Sequence, residues 1–208
     1  MAKERQTERR RLEDEQKRNA RKEVFSWVRM FATVIIVVFV LTHFIIINAK
    51  VPSGSMENTI MTHDRLIGFR FAYWFDEPQR GDIILFEYPV DEKQIYIKRV
   101  IGLPGETVEI RDGHIYIDGS EKPLEEGYLK ETWIWENDGY TFEVPEGCYF
   151  VLGDNRNDSE DGRLWANEAI KKGLASTPEE AEQYSFVRKD EIKGKAIFKY
   201  YSRFAILK

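Results

Sequence analysis

One unbroken apolar run limits what this chain can fold into. Residues 31–47 carry no fixed charge and are dominated by Val, Ile and Phe. With its flanks, residues 25–49, a helix here would be roughly 37 Å long at about 1.5 Å per residue. That length crosses a hydrocarbon core of about 30 Å with some tilt. The run is apolar on every face, without the 3.6-residue stripe of a helix packed against a core. Trp27 and Arg29 stand where inner-interface anchors belong, and His43 falls near the far interface. The stretch exceeds a cleavable signal's apolar segment, and Ile47-Asn48-Ala49 lacks the small-x-small cleavage pattern. The spacing therefore predicts an uncleaved single-pass anchor over residues 25–49. The preceding tail, residues 1–24, holds Arg9, Arg10, Arg11, Lys17, Arg18, Arg21 and Lys22. The positive-inside rule puts this tail in the cytoplasm, solvated and open to transient helix, and residues 50–208 outside.

The chain beyond the anchor is long enough to bury a core of its own. The net charge of the 208-residue chain is −5, with the basic residues concentrated in the tail. An acidic extracytoplasmic part with no basic patch beside stacking aromatics argues against nucleic acid. Cys148 is the only cysteine, so no internal disulfide can form. Three scattered histidines, with no C-x-x-C or H-E-x-x-H spacing, offer no metal site.

Read in order, residues 66–74, 83–88 and 95–101 have the composition of strands, the second entered through a turn at Arg80-Gly81-Asp82. Asp112-Gly113 between residues 107–110 and 114–117 is a hairpin signal. Residues 140–144 and 148–152 continue the β pattern around Pro145-Glu146-Gly147, and residues 195–201 close it. Helix is expected only in an insertion over about 165–185. There residues 166–172 stop at Gly173, and Thr177-Pro178-Glu179-Glu180 forms a capping box. The expected architecture is mostly antiparallel β.

Two serines flank a glycine in Pro52-Ser53-Gly54-Ser55-Met56. A hydroxyl needs a base before it attacks a carbonyl. His63 and His114 sit among polar strand-end residues, whereas Lys98 shares a strand face with Tyr96 and Val100. An ammonium among such neighbours loses hydration, which favours the neutral amine that a base requires. A third cluster, Gly153-Asp154-Asn155-Arg156-Asn157-Asp158-Ser159-Glu160-Asp161-Gly162-Arg163, comes directly after an apolar strand.

Together these blocks, with Arg80-Gly81-Asp82-Ile83 and Tyr96-Ile97-Lys98-Arg99-Val100-Ile101-Gly102-Leu103-Pro104-Gly105, resemble the type I signal peptidase family in its short, Gram-positive-like form. Their order, their spacing and the preceding anchor all agree. The resemblance implies a membrane-bound serine endopeptidase that cleaves signal peptides from translocated preproteins through a Ser-Lys dyad, on an antiparallel signal-peptidase-type β domain. Position by position, it implies Ser55 as nucleophile and Lys98 as base. Ser53 would complete the oxyanion hole with the Ser55 N–H, and Ser159 would orient the lysine amine. Asp154 would pair with Arg99 and Asp161 with Arg163, bracing the site. No cofactor is called for. Substrates would carry small residues at the third and first positions before the cut and bind extended along a strand edge. Partners would be the bilayer and, by proximity, the secretion translocon. From Lys50 to Ser55 the chain reaches at most about 18 Å, which keeps the nucleophile near the membrane. Asn58, His63 and Gly162 depart from the family's frequent proline, glycine and serine, and Asn157-Asp158 inverts a frequent order. Two other readings stay open: a self-cleaving or dedicated-partner Ser-Lys protease, and an inactive membrane-tethered scaffold.

Overall fold

The computed structural model describes residues 2–133, 139–200 and 204–207 and divides into two units, Met1–Phe44 and Ile45–Lys208. In the first, helix α1 runs unbroken over Ala2–Val40, so the tail continues the helix of the apolar run. Side chains of residues 17–40 are all exposed, which leaves the apolar run uncovered around its whole circumference. Lys17–Ile45 is long and apolar enough to cross a membrane. The helix widens into a π-helical turn at Leu41–Ile45. There Thr42 Oγ1 donates to the Val38 carbonyl at 2.8 Å, a side-chain bond that competes with the helical ladder.

The second unit starts with a strand where the sequence predicts the end of the anchor. β1 (Ile46–Lys50) pairs antiparallel with β2 (Arg65–Phe69) from Ile46↔Phe69 to Lys50↔Arg65. The strand expected over 66–74 stops at Phe69, where β1 begins and the pairing with β10 (Ile192–Lys199) ends. Ile46 of β1 and Lys195 of β10 are opposite Phe69, and Arg70–Tyr73 turn into a 3-10 helix. β3 (Ile83–Tyr88) forms a hairpin with β4 (Asp91–Gly102), which begins earlier than its apolar residues indicate. β5 (Thr107–Arg111) and β6 (His114–Ile117) form the expected hairpin, with Asp112 and Gly113 at φ 50 and 69 as a type I′ turn requires.

β7 (Tyr140–Glu143) and β8 (Cys148–Leu152) are adjacent in sequence but enter different sheets. β7 joins β5 in a three-stranded sheet ordered β6-β5-β7, while β8 lies beside β4. Two short helices come next, α2 (Trp165–Lys171) and α3 (Pro178–Ala181), the latter capped by Thr177, whose side chain accepts from the Glu180 N–H. The chain then forms β9 (Phe186–Arg188), β10 and β11 (Ala205–Ile206). Tyr201, the expected end of the last strand, lies outside the described residues. The larger sheet runs β1-β2-β10-β3-β4-β8-β9, with β11 beside β10.

Trp165 and Ala169 bury against Ile84, Phe86, Tyr88 and Val100, so the insertion covers one sheet face. Met56, Ile60, Leu66 and Leu85 pack together beneath the segment after β1. The Arg80-Gly81-Asp82 turn is tied inward: Arg80 bonds the Ile101 carbonyl and Glu106, and Asp82 accepts from Tyr73 and Lys195.

Candidate active site

Ser55 sits in the turn after β1, and Lys98 sits in the middle of β4. Lys98 Nζ lies 2.7 Å from Ser55 Oγ, and both residues are buried. Ser53 Oγ is 3.5 Å from Ser55 Oγ. The strand alternation read from the sequence holds: Lys98 Nζ lies over the Tyr96 ring, 5.5 Å from its centroid, and Arg99 turns to the opposite face. Burial pushes the Lys98 ammonium down to about 8, against the pull of the Asp161, Glu160 and Asp154 carboxylates and with a smaller push from Arg163. His63 and His114 are exposed.

The polar loop after β8 wraps this pair through two buried ion pairs. Arg99 Nε and Nη2 donate to the two Asp154 oxygens at 2.8 and 2.7 Å. Arg163 Nε and Nη2 donate to the two Asp161 oxygens at 2.8 and 3.0 Å. The Gly153 N–H also donates to Asp161, at 3.1 Å. Such forked pairs fix direction as well as distance.

Ser159 is brought in but not bonded. Its hydroxyl is buried and has no hydrogen-bond partner among the described residues. It presses against Gly153, where a Cβ would come within 2.2 Å of Ser159 Oγ and 2.4 Å of the Ser55 carbonyl. Only a residue without a side chain lets these two segments meet.

Three further groups support the site in roles that the motifs do not imply. The Asn155 N–H donates to the Ser55 carbonyl and its Nδ2 to the Gly54 carbonyl, both at 3.0 Å, which pins the serine turn to the loop. Glu126 and Tyr128 come from a stretch of irregular backbone without periodicity. Glu126 pairs with buried Arg156, and the Arg99 guanidinium stacks on Tyr128 at 3.9 Å.

The departures from the family pattern have local causes. Asn58 adopts φ 86, which a proline ring forbids, and its Nδ2 donates to the Tyr128 and Leu129 carbonyls. His63 occupies φ 73, the left-handed region that favours the glycine frequent there. At Gly162 a Cβ would meet the Ser185 carbonyl at 2.7 Å and the Phe150 ring at 2.8 Å. The insertion's last residue therefore excludes a serine.

A cavity of about 510 Å³ opens beside Ser55 and Lys98, bounded by residues 49–56 on one side and 94–98 on the other, with Asp158 and Glu160 on its rim. β8 pairs with β4 from Arg99 onward, so the edge of residues 94–98 facing away from β3 has no ladder partner among the described residues. Among the described residues no cluster of His, Cys, Asp and Glu has the makings of a metal site.

The family described as signal peptidase, peptidase S26, matches residues 24–201. The chain is 32% identical over 191 residues to a signal peptidase I of Bacillus licheniformis, covering 88% of this chain and 98% of that one. It is 38% identical over 145 residues to a probable signal peptidase I-1 of Synechocystis, covering 66% of this chain and 72% of the relative. A solved signal peptidase I from Enterococcus faecalis is 37% identical and covers 58% of this chain and 97% of that one, with a TM-score of 0.42. The family match takes in the apolar helix, both serines, Lys98 and the whole polar loop, and the Bacillus relative is matched over nearly its full length. The chain belongs to the signal peptidase family, peptidase S26.

Proposed function

We propose that this member of the family is a membrane-anchored serine endopeptidase that removes signal peptides from translocated preproteins, with Ser55 as nucleophile and Lys98 as general base. The observation that carries the reading is the 2.7 Å approach of a buried lysine amine to the Ser55 hydroxyl. At and above pH of about 8 a growing share of Lys98 is the neutral amine. Its lone pair accepts the Ser55 proton as Oγ attacks the scissile carbonyl carbon. Negative charge gathers on the carbonyl oxygen, where the Ser53 hydroxyl and the Ser55 N–H would donate to it. The C–N bond breaks as Lys98 returns the proton to the leaving amine. Lys98 then deprotonates a water that hydrolyses the Ser55 ester. Ser159, buried beside the pair, would accept from or donate to the amine and keep it aimed.

The unpaired edge of residues 94–98 fits an extended substrate that adds as a strand, with small residues at the third and first positions before the cut. Cleavage of a preprotein by detergent-solubilised protein tests the reading, and Ser55→Ala is expected to be inert. In the same assay Ser53→Ala should lower kcat on the order of 10²–10³-fold with KM little changed, because its bond strengthens in the transition state. An active Ser55→Ala variant would overturn the function. Full kcat in Ser53→Ala would remove only the oxyanion role.

The helix Lys17–Ile45 would hold the enzyme in the cell membrane by a single span, with the basic tail inside and the β domain outside, near the translocon. Because β1 takes up residues 46–50, the tether is longer than the sequence indicates. From Ile45 to Ser55 the chain can extend at most about 36 Å. Protease added to intact protoplasts should degrade the β domain and spare the tail. Loss of the tail alone would reverse the topology.

A further inference from the structure

Glu160 stands on the rim of the cavity that also holds Lys98 and Tyr96, and none of the roles above uses it. Its carboxylate is exposed yet held. Tyr88 Oη donates to Glu160 Oε1 at 3.0 Å from a side chain that is only 1% exposed. Burial, with Glu160 next, raises the Tyr88 phenol well above its usual range, so it remains an O–H donor. Its ring stacks on Tyr96 with centroids 4.3 Å apart and planes 7° from parallel. Lys98 Nζ lies over that same Tyr96 ring. Trp165 meets Tyr88 and Tyr96 edge-on and keeps the stack in place. A carboxylate, two rings and the amine thus form one ordered column.

We propose that Glu160 is a positioning residue: fixed by Tyr88, its negative charge favours the ammonium form of Lys98 and so sets the pH range in which Ser55 is activated. This rests on the Ser-Lys reading above.

Other charges face the amine. Asp161 and Asp154 approach from the same loop, but each is forked to an arginine, and Arg163 itself opposes them. From the covering helix, Lys172 lies 5.5 Å over the Tyr88 ring, and Glu168 acts on both tyrosines. Asp158 shares the rim, and the Ser55 hydroxyl closes the other side uncharged. Glu160 makes no ion pair among the described residues, so its charge can be removed without stranding a cation. A base loses strength as its affinity for a proton falls, so a carboxylate that offsets part of the burial keeps Lys98 basic enough to deprotonate serine.

The test uses the full chain in detergent micelles and measures kcat/KM for a preprotein across pH. Glu160→Gln is expected to lower the midpoint of the acidic limb by about 0.5 pH unit, below the 1–3 units of a close buried pair because exposure screens the charge. Glu160→Lys should move it roughly twice as far, Glu160→Asp less, and high salt should shrink each shift. In parallel, the Lys98 amine is titrated by NMR in protein carrying ¹³C-labelled lysine, with Lys98→Met assigning the signal. A lowered Lys98 titration with a matching activity limb supports the proposal. A lowered titration that the activity limb ignores leaves the Glu160 influence standing and sinks Lys98 as base. A titration unmoved or raised in both Glu160→Gln and Glu160→Lys overturns the proposal.

Discussion

Replacing Lys98 by arginine should abolish preprotein processing, with a fall on the order of 10⁴-fold or more, at the upper end of what a general base supplies. Arginine keeps a cation of similar reach beside Ser55 but stays protonated at any accessible pH. Lys98→Met keeps the buried methylenes without the amine and should be as inert while folding normally, which separates lost chemistry from lost structure. The wild type gives the sign. Burial holds the amine at about 8, so below that pH kcat/KM should rise about tenfold per unit and then level off as the neutral form fills. Rates are measured on one preprotein with each variant's thermal midpoint alongside. An arginine variant that processes at near wild-type rate would end the dyad mechanism.

Removing one carboxylate behind the dyad should cost stability as well as activity. Asp161→Asn leaves the buried Arg163 guanidinium facing a neutral amide, and breaking such a pair from one side costs about 3–5 kcal/mol. Burial alone would raise the Asp161 carboxyl, but the Arg163 charge, its hydrogen bonds and the Gly153 N–H hold it below the ordinary 3.8. A carboxyl so depressed contributes stability that is present above its unfolded value and lost as pH falls through the folded one. The wild type should therefore lose this share only in strong acid, and the variant should lack it at neutral pH. Denaturant unfolding at pH 7 and pH 3 reads both. A loss below about 1 kcal/mol at pH 7 would show that the pair is not what braces the loop. Because Asp161 also favours charged Lys98, any folded fraction of the variant should reach half-activity at a lower pH.

Most strands were legible because each rests on a local rule, whereas the meeting of Lys98 with Ser55 followed only from the family resemblance of the ordered motifs. Alternation put Lys98 with Tyr96, and Asp112-Gly113 announced its own turn. Errors arose where a neighbour decides. An aromatic run from Phe69 to Trp74 is indistinguishable from a strand until its pairing on both sides ends at Phe69. Likewise Ile46 and Ile47 match the anchor in composition, and only pairing with Phe69 and Gly68 makes them sheet. The site's outer supports were hidden for the same reason. Glu126, Tyr128 and Asn155 act across 30, 29 and 101 residues, on Arg156, Arg99 and Gly54 respectively. No periodicity encodes contacts of that span. Of the departures, Gly162 is the residue its surroundings require, while Asn58 holds a positive φ that proline cannot take.

The position of β10 has a consequence for the order in which the protein is made. In the larger sheet this strand, near the carboxyl end, lies between β2 and β3. The serine turn hangs from β1 and β2, and the lysine is carried on β4, itself paired to β3. Backbone pairing thus joins the serine-bearing strands to the lysine-bearing strands through Ile192–Lys199. While the chain is still being synthesised, both reactive side chains have long since emerged, yet the sheet that aligns them is unfinished. A chain synthesised only as far as β9 therefore holds both side chains without the strand that aligns them.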